Sequence, residues 1–534
     1  MTGTVPPAAD GFPARADAGG GGCGTSACQP DVPDGTIPTK APWTCEEAVV
    51  AAVGEPDVTG DRAASAVVAT FPTRNLPKPE VRALPDAPRD WWRYIGPGII
   101  AAGVGLSSGE FILFPYIASQ VGLVFVWAAI VGLLTQFMLN MEIERYTLAT
   151  GETALTGFSR YWRHWGLVFA ILTYFANLWP GWATSSATLL SYLFGGTPRF
   201  IAIGLLVVIG LILTLAPVVY VALERAQMLK VAAVVLLFGI GAVFAVGAAA
   251  WADAPQIVTN PGIPAAQLGF AVLLGALAFA GAGGGQNLVQ ANWIRDKGFG
   301  MGTYVPRLAS PVTGQPEAAP STGFVFVPDE RNMGRWRAWW RFANLEQLLT
   351  FVVITLFTIV FTSLLAYSTV YGREGLSNNI AFIKTEGEVL AERVGPWFQY
   401  FFWFVGAFSL FSAALGIVDY TSRLAADVIK TSYRRDANES KVYFGLVWGL
   451  VAVGILVLLV GLDQPLVLLV TSAVVGGFMM FIYSGLLILV NRKTLPAPIR
   501  VRGWRLAGLV WALLLFGVLS VLTFQSQISK LFGG

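Results

Sequence analysis

Histidine and cysteine are almost missing from this chain. His164 is the only histidine, and the three cysteines, Cys23, Cys28 and Cys45, all precede the first long apolar run. The scarcity removes imidazole and thiolate chemistry from most of the protein, and neither an H-E-x-x-H helix nor a phosphate-binding P-loop occurs. Cys23 and Cys28, separated by four residues with no histidine nearby, read as tail thiols rather than as a metal site or a disulfide framework. Charge is scarce as well. Only 13% of the 534 residues are charged against 55% hydrophobic, and the mean hydropathy is +0.62, whereas soluble domains carry about one quarter charged residues. A net charge of +3 without a basic soluble face makes no case for nucleic-acid binding. The composition is that of a polytopic membrane protein whose main partner is the lipid bilayer.

Residues 1–92 lack a basic n-region followed by an apolar h-region, so no signal peptide is expected there. Their Gly, Pro, Asp and Thr content predicts a disordered cytoplasmic tail. Trp91, Trp92, Arg93 and Tyr94 then look like an interfacial anchor. Eleven apolar stretches follow, each long enough to cross about 30 Å of hydrocarbon, near 94–120, 123–149, 165–190, 199–220, 224–250, 267–293, 342–371, 396–418, 442–461, 465–490 and 504–525. Trp179-Pro180-Gly181 predicts a kink in the third. Lys and Arg concentrate in the connections after even-numbered spans, among which the spacing places Arg225 and Lys230. The other side has Arg199, Arg373, Lys384, Arg393 and Lys530. This bias puts the N-terminus in the cytoplasm and the C-terminus outside, with the bacterial inner membrane as the expected location. The connection 294–341 reads as a cytoplasmic insertion of mostly irregular structure. It ends in an interfacial segment, Arg335 to Arg341.

Two spans contain residues that a membrane helix does not readily hold. In the first, Ser107, Ser108, Gly109 and Glu110 interrupt the apolar run, and a carboxylate at a helix centre costs about 3 kcal/mol. In the sixth, Gly283, Gly284 and Gly285 precede Gln286 and Asn287. Each glycine costs about 1 kcal/mol relative to alanine in a helix, so the backbone there is expected to unwind. These are the first spans of two five-span halves, 93–250 and 267–491, with a further span at 503–527. Matching breaks point to an inverted-repeat transporter with its site at the midplane.

Half-helices meeting at a break offer carbonyls to cations and N–H groups to anions. Ser107, Glu110, Gln286 and Asn287, with the close backbone at Gly284, add a carboxylate, a hydroxyl and amides. Ser107, Glu110 and Gln286 are the candidate ligands for a hard or hydrated cation of the Mg2+ or Mn2+ type, or for an organic ammonium. Glu110 has a second reading, in which it only braces the broken helix. The glycines likewise read either as close helix packing or as room for a larger solute. Asn177, Thr184 and Asp419 are candidate pathway residues. Asp419 and Arg423, four apart, predict a helix-surface ion pair, and Glu142, Glu144, Arg145 and Glu346 read as solvated end charges.

Gly105-Leu106-Ser107-Ser108-Gly109 also matches the G-x-S-x-G nucleophile pattern of hydrolases. A membrane serine hydrolase would need a base, and His164 is expected about half a bilayer from Ser107. No lysine is expected deep in any span, so an enzyme is the remote alternative, and no cofactor is implied.

Gly96-Pro-Gly98, the break nine residues later and Thr150-Gly-Glu152 together resemble the Nramp family of divalent-metal transporters. The resemblance covers roughly residues 94–527, outside 303–340. It implies an all-α fold of the LeuT type, a 5+5 inverted repeat with broken helices 1 and 6. The family's Asp-Pro-Gly-Asn motif falls on Ser107, Ser108, Gly109 and Glu110, and its Met-Pro-His-Asn motif on Gly284, Gly285, Gln286 and Asn287. A further family histidine falls on Ala291. Neither histidine and no methionine is kept, which implies transport of a hard cation without the usual proton coupling. An amino acid or amine is the alternative cargo on the same fold.

Overall fold

The computed structural model describes residues 58–532 except 89–95, 106, 108, 216–218, 306–322, 374–378 and 435. The cysteines, the Trp91–Tyr94 anchor and residues 306–322 of the proline-rich insertion lie outside the described residues. The apolar runs form helices because a helix satisfies its own backbone where water cannot. In chain order these are α1 (Val58–Ala69), the two-residue strand β1 (Glu80–Val81), α2 (Pro97–Gly105), α3 (Phe114–Val121), α4 (Trp127–Thr150), α5 (Ala154–Tyr161), α6 (Trp165–Asn177), α7 (Gly181–Phe194), α8 (Pro198–Leu215) and α9 (Val219–Phe244). The second half continues with α10 (Phe270–Ala278), α11 (Gly285–Lys297), strand β2 (Phe324–Val325), α12 (Glu330–Glu346), α13 (Ile354–Thr369), α14 (Phe382–Arg393), α15 (Pro396–Val428), α16 (Glu439–Leu459), α17 (Pro465–Lys493) and α18 (Trp504–Phe532).

Among the described residues, eight helical stretches are long and apolar enough to cross a membrane, from Pro97–Phe125 to Trp504–Ser526. The other three expected crossings are polar or interrupted. Charges end α4, Pro180 separates α6 from α7, and the sixth span is split into α10 and α11. The expected interfacial segment at 335–341 is instead part of a continuous helix, because α12 runs through a π-helical stretch, Gln347–Val353, into α13. In the first span 94% of the most apolar window is buried, against 28% for Pro198–Leu215. The broken helix is therefore the centre of the bundle, and α8 faces lipid.

Residues 59–88 depart from the expected solvated tail. They form a strap across the end of the bundle where the connections after α4, α11 and α17 meet, here called the basic end. Val67, Phe71, Leu76 and Leu84 are buried; scattered among prolines, they leave no periodic signal in the sequence. β1 pairs in parallel with β2, with Glu80 opposite Phe324. Thr70 Oγ1 donates to the Thr494 carbonyl at 2.6 Å, and Trp339 Nε1 donates to that of Pro85 at 2.9 Å.

Arg160 holds the middle of the strap. Its Nη1 donates to the carbonyls of Pro72 and Pro77 at 3.2 and 3.0 Å, while Nε and Nη2 grip Glu152. Both side chains are almost completely buried, and Glu152 also accepts from Tyr146 Oη at 2.6 Å and Gly323 N at 3.1 Å. Burial alone would push the Glu152 carboxyl up, but the Arg160 guanidinium and these donors outweigh it and hold it below the usual carboxylate range. A depressed carboxylate stabilises above its unfolded value, and that contribution is lost as pH falls through the folded value. Strap docking should therefore persist at neutral pH and fail only in acid. Arg160→Met should cost about 3–5 kcal/mol by leaving Glu152 charged and unpaired. The expected readouts are a lower Tm in detergent and faster tryptic cleavage after Arg82. Unchanged cleavage would show that Arg160 does not hold the strap.

Candidate functional site

The first break lies between α2, which stops at Gly105, and a π turn, Gly109–Leu113, that leads into α3. Glu110 folds back across it. Its Oε2 accepts from Ser107 N at 3.1 Å, its own carbonyl accepts from Thr362 Oγ1 at 2.6 Å, and its Oε1 has no hydrogen-bond partner among the described residues. Ser107 Oγ is committed to its own helix end, donating to Val104 O at 3.1 Å and Gly105 O at 3.3 Å.

In the second break the chain turns at Gly281, Gly283 and Gly284, with φ of 118°, 78° and 55°. The two breaks meet backbone to backbone. A Cβ on Gly105 would lie 2.2 Å from the Gly281 carbonyl oxygen, and one on Gly109 would lie 1.9 Å from that of Phe279. Gly284 abuts Gly476 of α17, where a Cβ would come within 2.5 Å of its Cα. At these positions the glycines serve close packing rather than a widened pocket.

Side chains from neighbouring helices complete the breaks. Gln286 Nε2 donates to Ala101 O at 2.7 Å, and Lys230 Nζ of α9 donates to Gly103 O. Both address the C-terminal carbonyls of α2, where a bound cation was expected. Lys230 is fully buried, so its place is deep in the fifth span and not in the preceding connection. The charge count misplaced it because a lone lysine near the edge of an apolar run is indistinguishable from a loop cation. Gln136 of α4 spans the other break. Its Nε2 donates to Leu277 O and Ala278 O at 3.2 and 2.9 Å, and its Oε1 accepts from Ala282 N and Gly283 N at 2.9 and 3.0 Å. Four positions on, Asn140 Oδ1 accepts from Asn287 Nδ2 at 2.6 Å. Glu144, a further turn on, is buried without a hydrogen-bond partner among the described residues. The spacing Gln136, Asn140, Glu144 was the available signal for a polar face on α4.

The expected site residues therefore divide. Ser107, Glu110 and Gln286 converge on the first break, Asn287 turns to α4, and Gly284 packs on α17. The pathway candidates do not join them. Asn177 Nδ2 bonds Tyr420 Oη and Thr421 Oγ1 at 3.0 and 2.8 Å, and Thr184 Oγ1 bonds carbonyls at the start of its own helix. Asp419 and Arg423 are buried rather than on a helix surface, because Asp296 of α11 and Tyr443 of α16 close around them.

The expected end charges are also buried. Glu142 chelates Arg145. Glu346 Oε1 accepts from Gly98 N at 2.9 Å and Gly96 N at 3.3 Å, capping the N-terminus of α2. Arg295–Asp427 at 3.0 Å and Lys297–Glu224 at 2.7 Å tie α11 to α15 and α9. Both half-helices are thus fastened at the basic end. His164 is bonded to Tyr433 Oη at 2.8 Å and lies at that end.

Gln136→Leu should strand four buried backbone groups, each worth about 1–3 kcal/mol when unsatisfied. The expected outcome is a marked fall in Tm in detergent, larger than that of Asn140→Leu. Equal or negligible effects would deny Gln136 its clamping role.

The family model described as "Amino acid permease" matches residues 347–530. No curated protein matches the chain in sequence. Among solved structures, a mutant of the Eremococcus coleocola manganese transporter is 11% identical, with a TM-score of 0.62 over 85% of this chain and 91% of that one. The same transporter in complex with an aromatic bis-isothiourea substituted compound is 12% identical, with a TM-score of 0.60 over 86% and 92%. The chain is an all-α polytopic membrane protein with the LeuT-type transporter fold.

Proposed function

We propose that the protein is a secondary transporter of a small organic cation or zwitterion, an amine or amino acid, working by alternating access. One observation carries this reading: the carbonyl end of α2, which would receive a metal ion, is occupied by the ammonium of Lys230. Inserting a divalent cation there sets two positive charges against a buried ammonium in a low-dielectric setting, whereas an amine brings one and a zwitterion brings no net charge. Glu110 supplies one free carboxylate oxygen, Oε1, suited to the ammonium of a solute. The match of residues 347–530 to amino acid permeases supports the same class. The bias of basic residues orients the basic end toward the cytoplasm.

A second reading has its own support. The fold shared with a manganese transporter favours a hard divalent cation held by Ser107, Glu110 and Gln286, as in an Nramp-like importer. In that case Lys230 would have to leave Gly103.

Purified full-length protein in vesicles, tested for counterflow with labelled amino acids and amines and separately with Mn2+ and Mg2+, distinguishes the two. The expected result is organic-solute exchange that Glu110→Gln and Lys230→Met each reduce by about tenfold or more, the loss of one charge-assisted contact. Divalent-ion uptake that organic solutes do not compete with would replace this reading with the second. Exchange unaffected by Glu110→Gln would remove the first break from the site.

A further inference from the structure

Away from both breaks, a cleft of about 660 Å3 opens at the basic end. Three separate parts of the chain build its wall. Arg74 and Asn75 come from the strap, Arg163 follows α5, and Tyr433, Arg434 and Asp436 follow α15.

Half of this wall is fixed. Asn75 Nδ2 donates to Ser159 O and Arg160 O at 3.2 and 3.3 Å, pinning the strap beside the cleft. Tyr433 Oη is held by His164 Nδ1, and the Arg163 guanidinium lies 5.0 Å from the Tyr433 ring centroid while its Nε donates to Ser432 O at 3.2 Å. The other half is uncommitted. The side chains of Arg74 and Arg434 make no hydrogen bond or ion pair among the described residues, and neither does Asp436. Among the described lining residues, three guanidinium groups therefore face one cavity with a single carboxylate. Like charges so gathered, with most donors unspent, are complementary to a phosphate oxyanion. Guanidinium forks match a phosphate bidentately.

The position of the cleft narrows the source of that phosphate. α6 enters the bundle at Trp165 and α15 leaves it before Tyr433, so the cleft sits where spanning helices emerge. Trp162, next to Arg163, is 47% exposed, and its ring meets that of Trp165 edge-on at 5.1 Å. Exposed tryptophan beside arginine is the pairing found at headgroup depth.

We propose that this cleft binds a phosphate group presented by an anionic phospholipid, and that the bound phosphate bridges Arg74 of the strap to Arg163 and Arg434 of the helical body. Such a ligand would fasten the strap at a second point besides Arg160.

The test uses the full chain in an uncharged detergent. Short-chain phosphatidylglycerol, short-chain phosphatidylcholine and sodium pyrophosphate are added in separate arms, and both Tm and tryptic cleavage after Arg82 are followed. Phosphatidylglycerol should raise Tm and slow cleavage, with phosphatidylcholine inert. The double variant R74Q/R434Q should weaken this response by about tenfold or more, whereas R74K/R434K, which keeps the charge without the fork, should retain part of it and shows that the pair can be replaced without misfolding. A response to pyrophosphate alone would overturn the lipid as the source and assign a free phosphorylated ligand. No response to either anion, or one equal in R74Q/R434Q, would overturn the site.

Discussion

The arrangement depends on one constraint: backbone groups released where a helix breaks inside a membrane have no water to turn to. Two such breaks lie against each other here, and the protein answers each freed group from a different helix. Lys230 and Gln286 address the carbonyls that end α2, Glu110 takes the amide of Ser107, and Gln136 reaches across the second break to serve both of its sides. Glycines at 105, 109, 281 and 284 let the backbones come close enough for these short side chains to reach. The polar residues that look like a binding site are also those that keep the unwound segments from collapsing. Their two tasks cannot be separated by composition.

A second layer of contacts lies at the basic end. Glu346 holds the start of α2, the Arg295 and Lys297 pairs hold the end of α11, and Arg423 gathers Asp296 and Asp419 between α11 and α15. The strap crosses the same end and is fixed by the buried Arg160–Glu152 pair. Buried ion pairs of this kind specify an arrangement more than they stabilise it, because each charge is desolvated on forming the pair.

Rarity made part of this legible. A carboxylate in an apolar run and three successive glycines stand out, so both breaks and the repeat they imply could be read from Glu110 and Gly283–Gly285. Other parts stayed hidden for physical reasons. Lys230 lies near the edge of its apolar run, where composition cannot tell a buried ammonium from a snorkelling one. Asp419 and Arg423 show their spacing in the chain, but the burial comes from Asp296, which only folding brings near. The strap buries Val67, Phe71, Leu76 and Leu84 at irregular intervals, and without a period there is no amphipathic pattern to detect. Gln136 is one amide in a span that ends in charges, and its function becomes visible only when the sixth helix is seen to break beside it.

The half-helix α2 has nine residues, below the roughly 12–15 at which an isolated helix becomes marginal in water. In hydrocarbon it cannot unravel, since every opened bond would go unmet. Its integrity is therefore borrowed from α12 at one end and from α9 and α11 at the other. Such a segment can move only by exchanging caps, accepting water at the basic end or a new donor at the midplane. A solute arriving there would be felt by the protein first as a replacement for Lys230 or Gln286, and its recognition and the release of α2 would be a single event.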